Sequence, residues 1–169
     1  MAQKISFGTG LEEFVVNGAT TLRFNPTDTD FVNRFQATVD RLKGMQEAFE
    51  ADMPALSDAV DAALAAEDPD RVSEANRAMM ARITEGSDAM RAEVDALFGE
   101  GAAAGLFPDN MSLYALSDGM PVWVNFLEAV SDVVADAFEA ERGKADPRMA
   151  ASSKKYKRML AKYRKQRKG

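Results

Sequence analysis

The side chains able to do chemistry in this 169-residue chain are carboxylates, lysines, arginines and three tyrosines, because it contains neither His nor Cys. The missing His removes the commonest general base and the usual zinc ligand. The missing Cys removes thiolate catalysis, disulfides and sulfur-based metal sites. Paired acids are the remaining option, and three groups have suitable spacing: Asp58/Asp61, Glu67/Asp68/Asp70 and Glu139/Glu141. Carboxylates at i and i+3 could share a cation or do acid–base work. The same spacing describes a solvated helix face or a helix cap, and no third ligand type is near. Gly8-Thr9-Gly10 and Gly99-Glu100-Gly101 are only fragments of nucleotide-binding loops. The expectation is a protein that is not an enzyme and that carries no metal and no cofactor.

Charge is the stronger signal. All 27 acidic residues lie at or before Asp146, against 11 basic ones, so that part sums to −16. From Arg148 onward there are ten Lys or Arg and no acid. Lys154, Lys155, Arg158 and Lys162 are interleaved there with Tyr156, Met159, Leu160 and Tyr163. This is the pattern of a basic amphipathic docking helix, or equally of a solvated basic end. Its targets are nucleic acid, an anionic membrane surface or an acidic protein surface, including that of a second copy. Nucleic acid is disfavoured because the acidic body repels phosphates. Trp123, beside Val122, Phe126 and Leu127, is a candidate partner anchor or a core residue. Phe107, in a glycine-rich loop, is a further candidate partner contact.

These side chains need a scaffold. Glu13–Asn17 and Thr20–Phe24 flank Asn17-Gly18, a strong tight-turn dipeptide, and predict a hairpin with Ile5–Phe7 as a candidate third strand. A lone hairpin is marginal in water, so it must pack on helices or on another copy, and its edge is a candidate self-association surface. Phe31, Phe35, Val39, Leu42, Met45 and Phe49 mark one helix face to about Ala51, with Pro54 as an interruption and a shorter segment to Leu64. Asp68 and Pro69 predict the cap and first turn of a helix running past Leu97, weakened at Gly86. Gly99–Gly119 reads as an ordered loop, with Leu106, Phe107, Leu113, Tyr114 and Leu116 folded inward. Pro121 opens the most apolar helix, which should be central. Gly143–Pro147 reads as a linker, and Ser152 as the cap of a last helix from Ser153. The fold class is mainly α with a small N-terminal β-hairpin or three-stranded sheet: a bundle of about four helices plus a basic C-terminal helix. Residues 1–146 form the hairpin-and-bundle domain and 147–169 the basic helix or tail. No apolar run of about 18 residues is present, so no transmembrane helix is expected, and the N-terminus is not signal-like, so the expected address is the cytoplasm, with no membrane among the expected partners.

Two stretches resemble a known family. Phe14-Val15-Val16-Asn17-Gly18 followed by Phe24-Asn25-Pro26-Thr27-Asp28-Thr29-Asp30-Phe31-Val32-Asn33-Arg34-Phe35 is similar to the opening of tail assembly chaperones from siphophages and prophages of Gram-positive bacteria. Leu97-Phe98-Gly99-Glu100-Gly101 through Leu106-Phe107-Pro108, then Gly119-Met120-Pro121-Val122-Trp123-Val124-Asn125-Phe126-Leu127, resembles that family's glycine-rich loop and following helix. The basic end with Lys154-Lys155-Tyr156 is also similar. The resemblance implies a non-catalytic protein of the host cell cytoplasm, absent from the finished virion. Its implied partner is the phage tape measure protein, kept soluble until tail tube protein polymerises round it; tail tube protein and further copies of the chain are additional expected contacts. The alternatives left open are another phage morphogenesis or scaffolding factor, and a small nucleic-acid-binding protein using the basic tail.

Overall fold

The computed structural model describes residues 1–108, 111–141 and 147–168, with 147–153 described through the backbone alone. The chain is mainly helical with a small N-terminal hairpin. It divides into two compact units, residues 1–37 with 117–169 and residues 38–116.

In the first unit, β1 (Glu12–Val16) and β2 (Thr20–Phe24) pair antiparallel, from Glu12 opposite Phe24 to Val16 opposite Thr20. Asn17 (φ 50°) and Gly18 (φ 69°) both take the left-handed conformation, and Ala19 N–H closes the turn on Val16 O at 3.1 Å. Asn tolerates that region and Gly enters it freely, which is why this dipeptide turns the chain here. Phe14 stacks on Phe24 (4.6 Å between centroids), and Phe24 on Phe31 (4.4 Å). The hairpin is thereby glued to the first turn of α1 (Thr29–Ala65).

Between strand and helix, Asn25 Oδ1 accepts from Thr27 N (2.9 Å) and Thr27 Oγ1 (3.0 Å), and Asp28 Oδ1 accepts from Asp30 N (3.0 Å). These are Asx-type bonds that satisfy backbone donors at a helix start. Asn25 Nδ2 also donates to Thr9 O at 3.0 Å. That clamp, with Gly10 at φ 69°, turns the arm before Ile5–Phe7 could reach a strand edge. The expected third strand is therefore absent: residues 1–11 hold no regular structure, and Ile5 (87%) and Phe7 (80%) are exposed.

The expected break at Pro54 is absent too. α1 continues through it to Ala65. Pro54 forfeits the bond to the Glu50 carbonyl, a cost of about 3 kcal/mol. Contacts on its N-terminal side hold the helix: Phe49 stacks on Tyr114 at 3.8 Å, and Asp52 Oδ2 accepts from Arg82 Nε at 2.8 Å. Beyond it Ala55, Ala59, Ala62, Ala63 and Ala65 are strong helix formers.

In the second unit, α2 (Pro69–Phe98) starts as its sequence predicts, with Asp68 Oδ1 accepting from Asp70 N and Arg71 N, both at 3.2 Å. The 38–65 segment of α1 and α2 form an antiparallel hairpin. Arg41–Glu93 (2.6 Å) and Arg82–Asp52 (2.8 Å) are cross-links, each centred on Glu67. One face of α2 then organises the loop that follows. Arg91 donates to the carbonyls of Ala103, Phe107 and Met111, Asp95 Oδ1 accepts from Ala103 N (2.8 Å), and Ser87 Oγ accepts from Leu113 N (3.0 Å). The loop contains a short helix, α3 (Ala102–Leu106), and buries Leu106, Phe107, Leu113 and Tyr114, as expected; Leu116 is exposed instead.

The chain returns to the first unit through a two-residue strand pair, β3 (Leu116–Ser117) and β4 (Met120–Pro121), turned at Asp118-Gly119 with both φ positive. α4 (Val122–Ala140) buries Trp123, Val124, Phe126, Leu127, Val130, Val134 and Phe138. α5 (Pro147–Lys168) starts six residues earlier than Ser153, so Ser152 lies inside the helix rather than at its cap. Proline favours a first helical turn because its absent N–H would have no partner there. Of the expected linker, residues 143–146 lie outside the described residues.

Candidate interaction surface

α4 carries Glu128, Asp132, Asp136 and Glu139 at spacings of four, four and three, which places them on one helix face. α5 runs antiparallel along it and meets this stripe with cations. Lys154 Nζ lies 3.5 Å from Glu139 Oε1, and Lys157 Nζ 2.9 Å from Asp132 Oδ1. Arg164 pairs with Glu128 and donates to Asn125 Oδ1 at 2.7 Å. Asn125 in turn donates to Ser117 O at 2.9 Å. The hydrogen bond and charge of Asp132, with Asp136 nearby, hold the Lys157 ammonium above the usual lysine range. Water screens pairs as exposed as these, so apolar packing is the main anchor. Tyr156 (5% exposed) and Leu160 (2%) are buried, and Tyr163 lies against Trp123 with centroids 6.1 Å apart.

One residue further round the helix, Lys155, Arg158, Lys162 and Lys165 follow at three–four–three spacing, which places them on a second helix face. All four are exposed, and none has an ion-pair or hydrogen-bond partner among the described residues. With Met159 and Ala161 they line an open, mostly apolar groove along the outer face of α5. α5 thus has two cationic stripes, one neutralised by α4 and one turned to solvent.

A second open groove runs between the hairpin and α4. Phe14, Val16, Leu22 and Phe24 line one side, and Phe126, Ala129, Val130 and Val133 the other. Val15, 69% exposed, also lines this groove from the hairpin side.

The structure therefore brings together Tyr156, Met159, Leu160, Tyr163, Lys154, Lys155, Arg158 and Lys162 on α5, with Trp123 beneath them. It divides their roles: Lys154 pairs within the chain, whereas Lys155, Arg158 and Lys162 have no ion-pair partner among the described residues. Trp123 is 1% exposed and Phe107 5%, and Phe107 lies in the other unit, where its carbonyl accepts from Arg91. Of the acid groups weighed for chemistry, Asp68 caps α2, while Asp58 and Asp61 are solvent-facing. Among the described residues no three acids are grouped so as to hold a metal ion, and no helix is long and apolar enough to cross a membrane. Sequence reasoning missed the α4 acid stripe, whose four–four–three spacing was a sufficient signal. It also missed Arg91, Asp95 and Ser87, whose loop carbonyl and amide partners leave no pattern in sequence. Comparison with protein-family models, with curated proteins and with solved structures gives no match.

Proposed function

We propose that this chain is a non-catalytic assembly factor of the tail assembly chaperone kind that its sequence resembles, and that it shields the apolar surface of a phage tape measure protein in the host cytoplasm. The observation that carries this reading is the groove between the hairpin and α4. It offers Phe14, Val16, Phe24, Phe126, Val130 and Val133 along one continuous channel. An open apolar channel of this kind fits one apolar helix face or an extended apolar strand. Among the described residues β2 is the one strand paired with β1, so the outer edge of β1 can add backbone hydrogen bonds to an extended client. The surplus of acids keeps a loaded complex from self-aggregating.

Co-expression with the tape measure protein tests the reading. The wild-type chain should hold that protein in the soluble fraction and co-purify with it. A Val15→Asp/Val133→Asp variant should keep its own fold, because both side chains are at least partly exposed, and should lose the client. A tape measure protein that precipitates equally with and without the wild-type chain would sink the proposal.

A further inference from the structure

We propose that the outer face of α5 docks the tip of the α1–α2 hairpin of a second copy, joining copies head to tail. The proposal is independent of any client. It starts from the four cations Lys155, Arg158, Lys162 and Lys165, which are exposed and unpartnered among the described residues. They flank the apolar strip made by Met159 and Ala161. At a rise of 1.5 Å per residue they span about 15 Å of helix.

The occupant is identified by charge and length. At the hairpin tip, residues 55–80 hold six acids, Asp58, Asp61, Glu67, Asp68, Asp70 and Glu74, against Arg71 and Arg77, a balance of −4. The α5 face carries the matching +4. Asp58, Asp61, Glu67 and Glu74 are exposed, and none has an ion-pair partner among the described residues. From Asp58 to Glu67 the helix and turn extend about 14 Å, close to the length of the cationic stripe. Leu64 is 56% exposed between these acids and supplies an apolar knob for the Met159/Ala161 strip.

The two faces are different patches, so the contact is heterologous. Each copy offers one of each and can go on adding neighbours, as a ring or an open filament. A net charge of −6 opposes close approach of whole molecules. Screening confines that repulsion to about 10 Å at 0.1 M salt, while the facing stripes attract at contact distance. Nucleic acid would meet the same cations, but it would not use the acidic tip.

Sedimentation of the full-length chain tests this directly. The wild type should exceed its 18.4 kDa monomer mass, grow with concentration in low salt, and associate at least about tenfold more weakly in 1 M salt. One variant neutralises the α5 face (Lys155→Gln, Arg158→Gln, Lys162→Gln, Lys165→Gln). A second neutralises the tip (Asp58→Asn, Asp61→Asn, Glu67→Gln, Glu74→Gln). Circular dichroism should show wild-type helicity for both. Each alone should remain monomeric, and their one-to-one mixture should stop at a dimer, because only one intact pair of faces is left. A wild type that is monomeric at every concentration, or whose association ignores salt as a hairpin-edge contact would, overturns the proposal. So does a mixture that stays monomeric or grows past a dimer, or a neutral-tip variant that assembles as the wild type does. Binding of a single-stranded oligonucleotide by monomers that never self-associate would replace the second copy with nucleic acid.

Discussion

Gly86 lies against the phenol end of Tyr114: a Cβ at residue 86 would sit 2.9 Å from Tyr114 Cε2 and 2.8 Å from an Arg82 guanidinium nitrogen, and closer still to the tyrosine hydroxyl. The glycine that looks like a flaw in a long helix is the seat on which the inter-helix loop rests. Phe49 stacks on the tyrosine ring, 3.8 Å away between centroids.

Gly86→Ala should therefore destabilise the second unit by about 1–3 kcal/mol through overpacking. Helix propensity alone would favour alanine by about 1 kcal/mol, so the two effects have opposite signs and denaturant unfolding decides between them. Tyr114→Phe removes a buried hydroxyl that makes no hydrogen bond of ordinary geometry. It should be close to neutral by itself and should recover part of the loss in the double variant.

Leu160→Ala should cost about 2–5 kcal/mol, the range for a buried leucine truncated to alanine. Amide exchange should quicken along α5 before it does elsewhere. Lys155→Gln, on the outer stripe of the same helix, should stay within about 0.5 kcal/mol of wild type. Equal effects from the two variants would mean that α5 is not held by its Tyr156/Leu160 face.

Glu128→Gln tests the stripe on α4. Glu128 and Arg164 are each 24% exposed at the side chain, and Arg164 also reaches Asn125. Removing the charge should cost about 1 kcal/mol, towards the upper end for a pair that water still screens in part. The same change at Glu139, whose partner Lys154 is 56% exposed, should cost less.

High pH should weaken both units, by different groups. Burial pushes the Tyr114 phenol up, with Arg82 opposing it in part, and Asp132 holds Lys157 up. In each case the native state keeps its proton longer than the unfolded chain does. The stabilisation is complete below the unfolded values, about 10 for tyrosine and 10.4 for lysine. It is lost as pH rises through the folded ones. Unfolding midpoints should be flat with respect to these groups from pH 7 to about 9.5 and fall above that. Tyr114→Phe should remove the tyrosine part of that fall, and an unchanged alkaline slope in this variant would show that the phenol is not its source.

Much of the architecture was legible in sequence because local chemistry dictated it. Asn17-Gly18 could only turn, Asp68-Pro69 could only start a helix, and the apolar spacing from Phe31 to Phe49 left one face to bury. The errors share a cause: local preference yielded to tertiary contact. Pro54 remains helical because Phe49 and Asp52 are pinned across to Tyr114 and Arg82. Ile5–Phe7 does not pair because Asn25 clamps Thr9 and turns the arm away. The basic stretch was readable as an amphipathic docking helix. That it carries two cation stripes, one of them answered by α4, became visible only once Tyr156 and Leu160 had fixed which way the helix faces.

The docked position of α5 also makes trypsin a clock. The enzyme cuts after Lys and Arg but needs several residues drawn out into an extended strand, which a helix held along α4 by Tyr156 and Leu160 denies it. A segment with ten cleavable residues after position 147 should nonetheless survive until it peels from its neighbour, and then vanish all at once. The rate at which this end is trimmed thus counts how often the last helix lifts away.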